Sequence, residues 1–101
     1  MTIIPEKCQT MADVRAGVDA VDADIVALLA LRFAYMGAAA RIKADRGAVR
    51  DEARKAQVIA NAKHHARAKA VPEALAAALW EMLVESSISY EMALFDAKTD
   101  G

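Results

Sequence analysis

Residues that break regular backbone are nearly missing from this chain: four glycines and two prolines stand among 101 residues. No proline interrupts the stretch from Thr10 to Val71. Runs with strand-like alternation are missing too, so a β fold is excluded by pattern. The single cysteine, Cys8, rules out an internal disulfide and suits a reducing compartment. Cys8 has no base beside it in the sequence, which argues against a thiol nucleophile. Neither sign of charge is in excess. Thirteen basic residues face fourteen acidic ones, for a net charge of −1, so the chain is not built as a general nucleic-acid binder. Metal and phosphate motifs (HExxH, CxxC, a phosphate-cradling glycine loop) do not occur. His64 and His65 are adjacent, so on a helix they point about 100° apart and do not chelate one metal as a pair. The start, MTIIPEK, lacks a charged region followed by an apolar one. The longest strongly apolar run, Ile25 to Leu31, is too short to cross a bilayer. A cytoplasmic location is therefore expected, with neither nucleic acid nor membrane as a partner.

Alanine and long apolar side chains are what the chain does have. Hydrophobic residues make up 56% and charged residues 27%, a globular balance. Alanine, the best helix former, clusters at Ala38-Ala39-Ala40 and Ala76-Ala77-Ala78. The expectation is an all-α fold in a single domain over residues 1–101. Thr10 and Asp13 read as a capping box that opens the first helix, with Asp in place of the usual Glu. The stripe Val14, Val18, Val21, Ile25, Leu28 then advances in steps of 4, 3, 4 and 3, a heptad seam. Helical residues continue to about residue 44, giving a helix of about 50 Å. A second helix is expected at about 51–66, with Val58 and Ile59 on its apolar side. A third is expected at about 72–97, with Leu75, Leu79, Met82, Leu83, Ile88, Met92 and Phe95 inward. Pro72 fits a first-turn position. A helix this long exceeds the diameter of a compact domain of this size, and two shorter helices cannot cover both its ends. An intertwined homodimer paired along the first helix resolves this.

Charges interrupt the seam. The next heptad step after Leu28 is Arg32, an expensive place for a cation unless it meets an anion. Lys43 lies close to three full turns further on, so the two share a face about 16 Å apart. Small residues, Gly37 to Ala40, lie between them. Two readings fit this spacing: a cradle for a small anion, or salt bridges to acids on the third helix. Arg15 lies about 25 Å before Arg32 and rotated by about 100°. It reaches the same small ligand only from a second, antiparallel chain; otherwise it is a solvated first-turn Arg. Asp51, Arg54 and Lys55 open the second helix, where an Asp also complements the helix dipole. Ser87 and Glu91 face the same way on the third helix, and Glu91 fits a ligand contact or a salt bridge. Gly47 and its charged surroundings predict a mobile lid.

The ordered set Val14-Arg15, Val21-Asp22, Ile25 to Leu29, Arg32, Ile42-Lys43 resembles the first helix of the all-helical chorismate mutases. Val49-Arg50-Asp51 with Arg54 is similar to the family's second-helix start. Leu79-Trp80 through Glu85-Ser86-Ser87-Ile88 is similar to its last helix. The resemblance covers residues 11–95. It implies a three-helix protomer, an intertwined dimer with two equivalent sites, and Arg15 contributed across the interface. It also implies a small dicarboxylate substrate, chorismate, rearranged to prephenate on the way to aromatic amino acids. The rearrangement is pericyclic and needs no nucleophile, metal or redox cofactor, so no cofactor is expected. Arg15 and Arg32 would bind carboxylates, and Lys43 a carboxylate and the ether oxygen. Asp51, Arg54 and Lys55 would lie toward the ring hydroxyl, with Ser87 and Glu91 closing the far side. Lys43, Glu91 and Arg32 are the expected catalytic groups.

Two positions depart from the family. Lys55 stands where the family usually has Glu, and Glu91 stands where its bacterial members usually have Gln. Some fungal members carry Glu there. An ionised Glu91 opposes charge building on the ether oxygen, so it must be protonated or neutralised by Lys43 or Lys55. The related isochorismate-pyruvate lyases, which give salicylate and pyruvate, share almost the same site. The stretch from Cys8 to Arg15 resembles that branch, which lacks the Glu at the Lys55 position but keeps Gln at the Glu91 position. A non-catalytic helical dimer with a ligand-binding or regulatory role is the remaining alternative.

Overall fold

The computed structural model describes residues 2–100, with side chains through Lys98. It is all-α: three helices, α1 (Met11–Ile42), α2 (Glu52–Ala68) and α3 (Glu73–Asp100), with short 3-10 turns at Pro5–Lys7 and Arg46–Ala48. No strand occurs among the described residues. The helix ends have identifiable causes. α1 stops at Ile42, before the expected residue 44, and the chain has turned extended by Asp45 (φ −124°, ψ 132°). Asp51 is extended as well and acts as the N-cap of α2 rather than its first residue. At the turn into α3, Ala70 takes a left-handed backbone (φ 58°), the conformation more often given to Gly. The Val71 N–H then reaches back to the Ala66 carbonyl at 2.8 Å and closes α2.

The chain forms two compact units, one ending at Ala34 and one beginning at Tyr35. In the first, the Thr10 hydroxyl accepts from the Asp13 N–H at 3.1 Å. The Asp13 carboxylate accepts from the N–H groups of Gln9 (3.0 Å) and Thr10 (3.3 Å). This is the reciprocal capping box expected for α1, and those hydrogen bonds hold the Asp13 carboxyl below the usual range. The stretch before the cap lies along α1 and leaves an apolar groove of about 520 Å³, lined by Ile3, Pro5, Cys8, Val14, Val18 and Val21 among others.

The second unit packs α2 against α3, joined by the short turn at Ala70. Alanines let the helices approach: Ala62, Ala66 and Ala76 are buried. Ala40, Val49 and Phe95 form a core cluster, with Ile88 and Met92 packed on it. The loop expected to be a lid is pinned here. Val49 is buried, Arg46 pairs with Asp96 (2.8 Å), and Arg50 pairs with Glu85 (2.7 Å).

The seam of α1 is open to solvent in the single chain: Val18, Val21, Ile25 and Leu28 are exposed, Leu28 at 66%. Continuing its steps beyond Arg32 gives Tyr35, Ala39 and Ile42, and both Tyr35 and Ile42 are exposed too. On α3, Leu75, Leu79 and Met82 are also exposed rather than inward. By length and composition alone α1 reaches the range of a membrane-crossing helix, with an 18-residue stretch of mean hydropathy 1.6. Counting uninterrupted apolar residues misses this, because Arg32 breaks the run while the apolar residues on both sides of it keep the average high.

The cap makes a direct prediction. Thr10→Ala should lower the stability to chemical denaturation by about 1 kcal/mol, with helix content otherwise intact; an unchanged midpoint would show that the cap is idle.

Candidate functional site

Lys43 is the first residue past α1, still tied to the helix by its N–H on the Ala39 carbonyl at 2.9 Å. Its ammonium donates to the Glu91 carboxylate at 2.7 Å. The Glu91 side chain is 5% exposed and that of Lys43 30%. A carboxylate this buried requires a cation or a proton, and the cation is Lys43. On α3, the i, i+4 spacing sets Glu91 on the face shared with Ser87, which is also buried. The Ser87 hydroxyl donates to the Leu83 carbonyl one turn back, at 2.6 Å. That bond uses its one proton.

A second cluster lies where α2 begins. The Lys55 ammonium donates to Glu81 (2.7 Å) and Glu85 (2.8 Å), and its side chain is only 17% exposed. Hydrogen bonds to Glu81, then to Glu85, raise the Lys55 pKa. Glu85 also accepts from both terminal guanidinium nitrogens of Arg50, at 2.7 and 3.1 Å. Arg50 first, then Lys55, pulls the Glu85 carboxyl down to about 2. The neighbour that neutralises Glu91 is thus Lys43; Lys55 serves Glu81 and Glu85 instead.

The remaining expected site residues lie as follows. The Asp51 carboxylate accepts from the Arg54 N–H at 3.0 Å, which is the N-cap bond of α2. The Arg54 guanidinium donates to Gln57 at 2.7 Å, along its own helix surface. Arg32 is half-buried on α1 and has an interaction of its own there. Arg15 is exposed in the first turns of α1. The structure pairs Lys43 with Glu91, sets Ser87 on the Glu91 face of α3, places Lys55 in a separate acidic pair, and uses Asp51 and Arg54 locally.

Arg50, Glu81, Glu85 and Lys98 do not stand out in the sequence as site residues. Glu81 and Glu85 have i, i+4 spacing, which marks a shared face and offers a partner for Lys55. Lys98 has no such signal, because the groups it binds end a different helix.

The geometry of the second unit is a helical scaffold presenting a buried carboxylate and an ammonium side by side, with no strand and no catalytic loop motif among the described residues. The chain belongs to the chorismate mutase type II family, whose sequence pattern matches residues 14–92. Every site residue expected from the sequence lies within that match. The chain is also similar to an isochorismate pyruvate lyase of Pseudomonas aeruginosa, 44% identical over 45 residues. That alignment spans 45% of this chain and 45% of the relative.

The Arg50–Glu85–Lys55 cluster sets a pH dependence. A carboxyl lowered from 4.5 to about 2 contributes stability that is fully present above pH 4.5 and is lost as pH falls toward 2. Denaturation midpoints of the wild type should therefore drop across that window, and Glu85→Gln should show a shallower drop. Parallel curves for the two proteins would contradict the pairing.

Proposed function

We propose that the protein rearranges chorismate to prephenate, working as a homodimer with two equivalent sites. The observation that carries this reading is the Lys43–Glu91 pair, an ammonium presented at the end of a long helix beside a buried carboxylate. The family match supports an enzyme of this fold acting on a chorismate-like small molecule.

The reaction is intramolecular, so the protein's task is to hold a compact conformer and to stabilise charge on the ether oxygen as the C–O bond breaks. Arg32 takes a carboxylate, and Lys43 takes a carboxylate and the ether oxygen. Glu91 lies beside Lys43, so in its ionised form it competes with the substrate for that ammonium. In its protonated form it releases Lys43 and can donate a hydrogen bond to the ether oxygen. Ser87 lies on the same face of α3 as Glu91. Lys55, Asp51 and Arg54 lie toward the ring hydroxyl, where Lys55 brings a positive charge already balanced by Glu81 and Glu85.

The dimer reading draws support from the exposed seam. Val18, Val21, Ile25 and Leu28 are 48–66% exposed, so burying what remains of each against a second copy contributes about 1–2 kcal/mol. Arg15 then enters the partner's site, which its separation from Arg32 prevents within one chain. The same apolar α1 is better explained by a protein partner than by a bilayer. Arg32 falls inside any stretch of it that is both long and apolar enough to span, and a charge at that depth is costly. A cytoplasmic setting goes with this reading.

The Pseudomonas aeruginosa relative favours a second reading, loss of pyruvate from isochorismate. Both substrates present two carboxylates and an enol ether to the same cations, so the two activities can coexist.

Purified protein given each substrate separately decides between them, with prephenate or salicylate followed. Prephenate formation should dominate, and Glu91→Gln, which frees the Lys43 ammonium and keeps a hydrogen-bond donor at that position, should raise kcat/KM for chorismate. Salicylate alone would overturn the first reading. No product from either substrate would leave a ligand-binding helical dimer. An unchanged kcat/KM in Glu91→Gln would remove Glu91 from the mechanism.

A further inference from the structure

We infer that Lys98, in the last turn of α3, is a positioning residue for Lys43. The inference rests on the reading of Lys43 as a substrate-binding group. The last carbonyls of an α-helix have no partner within the helix. In α1 the Ala39 carbonyl is met by the Lys43 N–H, but those that follow need other donors. The Lys98 ammonium supplies them. It donates to the carbonyls of Ala40 (2.5 Å), Arg41 (3.3 Å) and Lys43 itself (2.7 Å). An ammonium has three N–H donors, and all three serve this one helix end. A cation at a helix C-terminus is also favoured by the helix dipole.

Lys98 is itself held in place. Its ammonium lies 4.4 Å from the centre of the Phe95 ring, a favourable place for a cation. Phe95 is buried with Ala40 and Val49 in the core cluster. Two residues before Lys98, Asp96 holds Arg46 at 2.8 Å in the loop that follows Lys43. The last turns of α3 therefore grip both the end of α1 and the loop beyond it. Lys43 stands between these grips, with one backbone bond to its own helix and one to Lys98. Its side chain must span to Glu91 or to a ligand from that backbone. A shift of about 1 Å in a positioned group can cost on the order of 100-fold in rate.

The test uses the full chain with Lys98→Met, which keeps an apolar stem and removes all three donors, together with Lys98→Arg and Lys43→Ala. Turnover and amide hydrogen exchange are measured for each. In Lys98→Met, kcat/KM should fall on the order of 10- to 100-fold, mostly through kcat, and Lys98→Arg should recover part of the loss. Adding Lys98→Met to Lys43→Ala should cost almost nothing further, since the group being positioned is gone. Amides of residues 43–49 should exchange faster in Lys98→Met and stay as in the wild type in Lys43→Ala. Should Lys98→Met fail to fold, Lys98→Gln carries the same comparison. Wild-type kinetic constants and exchange in the Lys98 variant, alongside a dead Lys43→Ala, would overturn the positioning role and leave the site reading standing. Full turnover in Lys43→Ala would overturn both the site reading and the positioning role that rests on it.

Discussion

A helix of 32 residues, about 48 Å long, in a chain of 101 residues is the constraint from which the rest follows. Its capping box fixes where it starts, and its seam repeats without a break from Val14 through Leu28. The chain has little left to cover it. Its buried apolar residues are mostly alanines, with Val49, Val84 and Phe95 the larger exceptions. Alanine lets helices approach closely but contributes little apolar area, so many of the larger apolar groups remain on the outside of one chain. A second copy lying along α1 is the proposed remedy, and it is what would bring Arg15 to a site that Lys43 helps build.

Charge placement follows the same logic. Glu91 is the most deeply buried ionisable residue among those described, and it is compensated by one cation that stands at the end of α1. That cation depends on the stability of a helix terminus, and Lys98 supplies the missing donors there. On the α2 side, Lys55 holds two glutamates, and Arg50 shares one of them. The two clusters differ in chemistry. The Lys43–Glu91 pair sets one cation on one buried carboxylate, with the Lys43 side chain 30% exposed, whereas in the Arg50–Glu85–Lys55 network two cations share Glu85 and tie α2 to α3.

Much of this is legible in residue order. The period of the apolar residues points to three helices and a long first one, and Thr10 with Asp13 locates its start. Lys43 and Glu91 both stand out in the sequence, and their pairing is one of the options their spacing leaves open. The loop after α1 is where residue order misleads. Gly47 and its charged neighbours look mobile, yet Val49, Arg46 and Arg50 are anchored on α3. Asp51 and Arg54 look like ligand contacts, but in the single chain they form a helix cap and a surface contact. Lys98 is invisible for a general reason. Its partners are backbone carbonyls at the end of another helix, and no spacing within α3 encodes them.

Whether one site draws on two chains can be tested by mixing two inactive variants. Arg15→Ala and Lys43→Ala are unfolded together and refolded, so that about half the dimers are mixed. In each mixed dimer, one site then carries both substitutions and the other carries neither, if Arg15 acts across the interface. The account predicts recovery of about a quarter of wild-type turnover. A mixture that stays as inactive as its parents, while mixed dimers are shown to form, would contradict it.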